Sequence, residues 1–227
     1  VSPGETFHCD GKYPKYGLTC WKKEGHGDIT LGEALAESCN VAFAEIGERF
    51  DGATLQQYAE ALGLTGTVGW RGPSVSAAGL LRQLPEEQPA TLFYGEPGAA
   101  DGGVLAQTAV GQRDVRWTPL AAANWMVTLL NGGAVFRPRA AIELQYADGH
   151  ALETYGVKYL SERRLLSPET VFSVRSMLSA VVAGGTGTAA RSARWPLAGK
   201  TGTAETVSDG RPAVHQWFVG YGPADRP

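Results

Sequence analysis

The sequence predicts an α+β fold, with helices packed on an antiparallel sheet. Three observations lead there. Helix-start signals occur at Thr30, Thr118 and Ser167, each followed by apolar residues. Two stretches near the end, Leu197–Ala204 and Gln216–Gly222, have strand character and lie close enough to pair. With 30 glycines and 13 prolines in 227 residues, the chain is too rich in breakers for a helical bundle or coiled coil. Its length fits one domain, or one large piece of a bigger one, and can bury a real core.

Taken in order, the first 28 residues read as irregular, rich in Gly, Lys and aromatics. Thr30-Leu31-Gly32-Glu33 matches a capping box, and the helix it opens should reach about Glu37. Ser38-Cys39-Asn40 interrupts it, and Val41–Phe50 reads as a second helix. Thr54–Leu62 reads as a third, stopped by Gly63. Residues 65–104 are dense in Gly, Pro and small side chains and read as a surface excursion. Thr118-Pro119 opens a helix expected to run to Asn131, with Gly132 left-handed behind it. Val135–Tyr146 reads as paired short strands broken by Asp148-Gly149. Ser167-Pro168 starts a helix running through Val181 to Gly184-Gly185, and residues 205–213 are expected to be a loop joining the last two strands. No internal repeat or low-complexity tract is seen.

Composition removes several function classes. Charged residues are 19% of the chain and the net charge is −3, which argues against nucleic-acid partners or a polybasic membrane patch. No stretch approaches 18 apolar residues, the span a transmembrane helix needs. Val1-Ser2-Pro3-Gly4 reads as a turn, so any export signal is expected far upstream or already removed.

The chemistry concentrates in two short runs. Lys200-Thr201-Gly202-Thr203 sits in a predicted strand, where alternate side chains point to opposite faces. A cation there can polarise a site and attract a substrate carboxylate, neighbouring hydroxyls can bind it, and glycine lets a substrate backbone lie against the strand. Ser38-Cys39-Asn40 lies between helices; Ser38 could relay a proton, and Asn40 could hold a substrate amide or orient a lysine. Each run also has an ordinary reading, as an exposed turn or a helix-capping pair.

All three cysteines, Cys9, Cys20 and Cys39, fall in the first 39 residues, with His26 among them. Three Cys and one His form a recognised structural zinc set, although the spacing is not that of a zinc finger. The rival reading is a Cys9–Cys20 disulfide with Cys39 free and His26 an ordinary loop residue. Zinc is preferred because residues 1–28 show little core-forming pattern and need a staple. His8 is a weaker candidate ligand than its neighbour Cys9.

Together Ser38-Cys39-Asn40 and Lys200-Thr201-Gly202-Thr203 resemble two of the three motifs of the penicillin-recognising serine enzymes. The third, Ser-x-x-Lys, does not occur: no serine has lysine three residues on. The surrounding segments resemble the transpeptidase domain of class B penicillin-binding proteins of cell elongation or division. They are His26-Gly27, Leu31–Phe43, Gln107–Gln112, Thr118–Leu120, Asn131–Gly133, Gly185–Gly187, Ala198–Glu205 and Trp217–Gly220. The match is weakest over 65–104.

The resemblance implies a serine β-lactamase-like fold, incomplete at both ends. A Ser-x-x-Lys helix is expected before Val1, and a final strand and helix after Tyr221–Pro223. Residues 1–227 would be a partial transpeptidase domain, with a metal-stapled loop and second motif in 1–40, a variable excursion in 65–104 and the third-motif hairpin in 197–222. It also implies cross-linking of peptidoglycan stem peptides in the cell envelope, acylation by β-lactams when the nucleophile is present, and a glycan polymerase as partner. Ser38, Asn40, Lys200 and Thr203 would be catalytic, with the Thr203 N–H in the oxyanion hole. Thr201, Gly202 and Thr203 would bind substrate. Elongation-type members carry Cys, Asp or His at places comparable to Cys9, Cys20, His26 and Cys39. No cofactor is needed for catalysis. Two rival readings are a β-lactamase or β-lactam sensor, and a non-catalytic relative that binds cell-wall peptides or a partner.

Overall fold

The computed structural model describes residues 1–73, 80–161, 164–208 and 210–227. Positions 74–79 of the 65–104 excursion and position 209 of the expected 205–213 loop lie outside the described residues. The strands are β1 (Thr6–Cys9), β2 (Lys12–Tyr13), β3 (Leu18–Thr19), β4 (Gly27–Thr30), β5 (Arg71–Pro73), β6 (Leu80–Arg82), β7 (Val135–Phe136), β8 (Glu143–Gln145), β9 (Ala151–Thr154), β10 (Tyr159–Ser161), β11 (Ala198–Ser208) and β12 (Arg211–Tyr221). The helices are α1 (Leu31–Ala36), α2 (Asn40–Gly47), α3 (Gly52–Ala61), α4 (Gly102–Ala109), α5 (Pro119–Leu130) and α6 (Pro168–Ala183). They fall into two compact units: Val1–Gln57 with Leu92–Val115 and Ser167–Pro227, and Tyr58–Thr91 with Arg116–Leu166.

In the first unit, β1 pairs antiparallel with β4, so the opening residues are not irregular. Phe7 and Cys9 point inward and His8 outward, the alternation of a half-buried strand too short to announce itself in the sequence. They join Cys20, Ile29, Ala34, Cys39, Val41, Ala42 and Ile46 in one buried cluster. The chain then enters α1 through the expected capping box: the Glu33 N–H donates to Thr30 Oγ1 at 3.3 Å, and the Thr30 N–H donates to Glu33 Oε2 at 2.8 Å. α2 packs closely on α4, which the sequence reading passed over and which Asp101 caps through the Val104 N–H. Glu48, just past α2, accepts from Tyr13, Lys15 and Tyr16, tying the β2–β3 segment to that helix end. α6 begins at the Ser167 cap, as the sequence predicts, and packs on α1 and β11.

β11 and β12 form the longest pairing in the chain, in continuous register from Ala198↔Tyr221 to Ser208↔Arg211. The expected loop over 205–213 is therefore mostly strand. Pro212 is accommodated because Pro at the turn end of a two-stranded ribbon loses little ladder hydrogen bonding.

In the second unit, α5 starts at the Thr118 cap and ends before Gly132, whose φ is +69°. Leu129, Val68, Val135 and Trp70 are buried. Val68 and Trp70 lie within 65–104, so part of that stretch is core rather than surface. The Trp70 indole donates to the Gly156 carbonyl at 2.9 Å, burying its ring with its one donor satisfied. β8 and β9 pair around Asp148-Gly149 as anticipated, but β7 takes β10 as its partner rather than β8.

Candidate active site

Ser38 is positioned by how α1 ends. The Ser38 N–H donates to the Leu35 carbonyl at 3.3 Å and the Cys39 N–H to the Ala34 carbonyl at 2.9 Å. This is the double-bonded Schellman closure, in which the residue after the C-cap is left-handed and usually glycine. Here it is Ser38, with φ of +54°. A non-glycine residue there carries a conformational cost of about 1–2 kcal/mol. Such strain collects where a side chain is needed in one place.

β11 brings Lys200 to meet it. Lys200 Nζ donates to Ser38 Oγ at 2.9 Å and to the Thr201 carbonyl at 2.9 Å. Burial pushes the Lys200 ammonium down to about 8. A lysine so placed is charged at neutral pH yet close to releasing its proton. Because Lys200 donates, the Ser38 oxygen accepts, and Ser38 keeps its own proton for another group.

The remaining motif residues divide. Thr201 Oγ1 lies 2.6 Å from Thr186 Oγ1, an internal partner. Gly202 pairs with Trp217 across the hairpin, and Thr203 with Gln216. The Thr203 residue is exposed, and its carbonyl accepts from Gln112 Nε2 at 3.3 Å. Asn40 opens α2, but its amide donates to the Thr19 carbonyl at 3.0 Å rather than to Ser38 or Lys200. Thr186 and Gln112 were not singled out from the sequence. The signal lay in Gly185–Gly187 and Gln107–Gln112, matched only by resemblance and without a role.

The cysteine cluster adjoins this site through Cys39. Cys9, Cys20, His26 and Cys39 bring their ligand atoms within 4.8 Å of one another. His26 Nδ1 lies 3.6 Å from Cys9 Sγ and 3.5 Å from Cys20 Sγ. Zinc–ligand distances of ~2.3 Å for sulfur and ~2.0 Å for nitrogen imply tetrahedron edges of about 3.5 Å between N and S. The donor set therefore fits the ion in number and type, and its two His26 edges fit in length. The three cysteines are free thiols and no Cys9–Cys20 bridge is formed. Burial keeps His26 toward its neutral, ligating form. His8 stands apart, exposed and bonded to Asp28 at 2.5 Å and Asp10 at 2.6 Å. Two contacts fasten the cluster's loop to the second motif: Asn40 to Thr19, and the Trp21 indole to the Glu37 carbonyl at 2.7 Å.

The penicillin binding protein transpeptidase domain matches residues 1–227. The chain belongs to this family. Stage V sporulation protein D of Bacillus subtilis is 33% identical over 215 residues, covering 92% of this chain and 30% of that protein. Peptidoglycan D,D-transpeptidase PbpA of Mycobacterium tuberculosis is 31% identical over 204 residues, covering 88% of this chain and 37% of that protein. Among solved structures, the imipenem acyl-enzyme complex of penicillin-binding protein A from M. tuberculosis superposes with a TM-score of 0.79 at 25% identity. It covers all of this chain and 49% of that one. The chain spans about a third of the length of the curated relatives it matches. The helices and antiparallel strands described above are those of the family's α+β fold. Members of the family include enzymes named as peptidoglycan D,D-transpeptidases. Among the described residues, no helix is long and apolar enough to cross a membrane.

Proposed function

We propose that this chain supplies the second and third motifs of a serine acyl-transfer site, and that the protein carrying it is a peptidoglycan D,D-transpeptidase of the cell envelope. The observation that carries the reading is the 2.9 Å contact between Lys200 Nζ and Ser38 Oγ, from motifs at opposite ends of the chain. In this reaction a serine from a Ser-x-x-Lys segment attacks the carbonyl carbon of the penultimate D-Ala of a stem peptide. The bond to the terminal D-Ala breaks, and its nitrogen leaves with an added proton. The amine of a neighbouring stem peptide then displaces the serine oxygen, which regains a proton. Ser38, accepting from Lys200, has its own hydroxyl proton free to pass to the leaving nitrogen. The Lys200 charge attracts the donor's terminal carboxylate, and the exposed Thr203 offers its hydroxyl to the same group. The Thr203 N–H stabilises the developing oxyanion. Gly202, without a side chain, leaves room for the peptide along the strand. Asn40 keeps its Nδ2 on the Thr19 carbonyl and serves the site through its Oδ1, which accepts from a substrate amide.

β-Lactams would acylate the same serine, a reading supported by the related ceftriaxone and penicillin G acyl-enzyme complexes at 26% and 27% identity. A glycan polymerase is the expected protein partner. Cys9, Cys20, His26 and Cys39 would hold a structural zinc ion, which supplies no chemistry to the reaction and pins the loop carrying the second motif.

The test is intact-mass analysis after incubation with benzylpenicillin, on a polypeptide carrying a Ser-x-x-Lys segment together with residues 1–227. A covalent adduct is expected, and its loss in Lys200→Ala. No adduct on the parent polypeptide overturns the reading.

A further inference from the structure

We propose that Thr186 is a positioning residue of this site, locking the Lys200–Thr203 strand to the end of the helix that presents Ser38. The inference rests on the acyl-transfer reading above and deepens it. Thr186 lies in Gly185-Thr186-Gly187, the irregular segment between α6 and β11. Its backbone N–H donates to the Ala36 carbonyl at 3.0 Å, and its hydroxyl donates to the same oxygen at 3.4 Å. Ala36 is the last residue of α1, just ahead of the turn that sets Ser38. On its other side the hydroxyl meets Thr201 Oγ1 at 2.6 Å.

This approach requires glycine at 185, where a Cβ would stand 2.2 Å from the Ala36 carbonyl oxygen. Either oxygen of the 2.6 Å hydroxyl pair can donate, and the firm link to α1 is the Thr186 N–H on the Ala36 carbonyl. Thr201 Oγ1 in turn lies 3.5 Å from Lys200 Nζ. A series of contacts runs from Lys200 through Thr201 and Thr186 to α1. Two motifs 162 positions apart are thereby held in register by a side chain that touches no substrate. Thr201 Oγ1 is engaged internally by Thr186, which leaves the exposed Thr203 as the hydroxyl that meets the substrate carboxylate.

The test measures acylation by a fluorescent penicillin on the full-length protein carrying the Ser-x-x-Lys segment. Thr186→Val keeps the shape and removes the hydroxyl; Thr186→Ser keeps the hydroxyl. The valine variant should acylate roughly 10-fold more slowly. The loss should fall on the acylation rate constant and not on the affinity of the initial complex. Thr186→Ser should stay within about twofold of the parent. In combination with Thr201→Val, the double variant should be no slower than the slower single one. Thr186→Ala replaces the valine variant if that fails to fold. An acylated parent with a valine variant of equal rate, or a serine variant as slow as valine, overturns this inference alone. A parent that takes no penicillin overturns the acyl-transfer reading and this inference with it.

Discussion

Ser38 combines an unfavourable backbone with a side chain that the proposed reaction requires, and the two can be separated by experiment. Both Ser38→Ala and Ser38→Gly delete the hydroxyl that Lys200 meets, so both should lose acylation. Their stabilities should differ in an unusual direction. Glycine normally destabilises relative to alanine, but at φ of +54° it is the alanine that is strained. Ser38→Gly should therefore be more stable than Ser38→Ala by about 1 kcal/mol, read from denaturant midpoints. The reverse order would mean that the left-handed turn is not kept. Lys200 gives a second residue-scale prediction. It loses its charge near pH 8 in the native protein, against an ordinary lysine value of 10.5 in the unfolded chain. Between those values the unfolded chain holds a proton the native state has released, so this group's contribution to stability rises with pH across that window. Carboxylate attraction moves the other way. Acylation should fall on the alkaline side near pH 8, and Lys200→Arg should push that limb upward; an unmoved limb would assign it to another group. None of the left-handed geometry at Ser38 was legible in the sequence, because serine is the wrong residue to announce it.

Elements were legible where their signals are local. Thr30, Thr118 and Ser167 cap the helices they appeared to start, since side-chain oxygen and the first N–H groups lie within three residues. The β1–β4 pair was not legible, because Phe7 and Ile29 recognise each other across a long loop and neither strand exceeds 4 residues. α4 escaped notice because its small residues, among them Gly102 and Gly103, give weak periodicity; its stability comes from packing on α2. That packing yields a prediction. A Cβ at Gly47 would stand 2.6 Å from Ala109 Cβ and 2.7 Å from the Leu105 carbonyl. Gly47→Ala should cost about 2 kcal/mol through separation of the two helices, although alanine is the better helix former. A thermal midpoint equal to the parent's would show that the helices part without penalty.

At the scale of the molecule, the residues marked in the sequence at both ends of the candidate site, and the three cysteines with His26, are brought together by the fold; they were legible because their residue types are chemically distinctive. The sequence could not supply the connections between them. Thr186 has no periodic context, and the Asn40 amide's choice of Thr19 follows from tertiary placement alone. Through those connections a metal at the cysteine cluster would bear on the candidate site. Cys39 stands between Ser38 and Asn40, and its thiol is pushed up to about 12 by burial, so an ion binding there would have to displace a firmly held proton. Protein purified without added metal should contain about one zinc per chain. Stripping it with a chelator should lower the melting temperature and slow acylation, with recovery on adding zinc back. Metal-free protein with a Cys9–Cys20 bridge by mass spectrometry would sink the metal reading.

The unbroken register of β11 against β12 bears on how such a chain can drift over generations. Side chains alternate between faces, so one residue gained or lost within either strand turns over everything beyond it. Changes in length are tolerable only at the turn, beyond Ser208 and Arg211, where no motif residue lies downstream in the ladder. Homologous hairpins should therefore vary freely in reach at that tip while their bases, where Lys200 faces Val219 and Thr203 faces Gln216, stay constant in length.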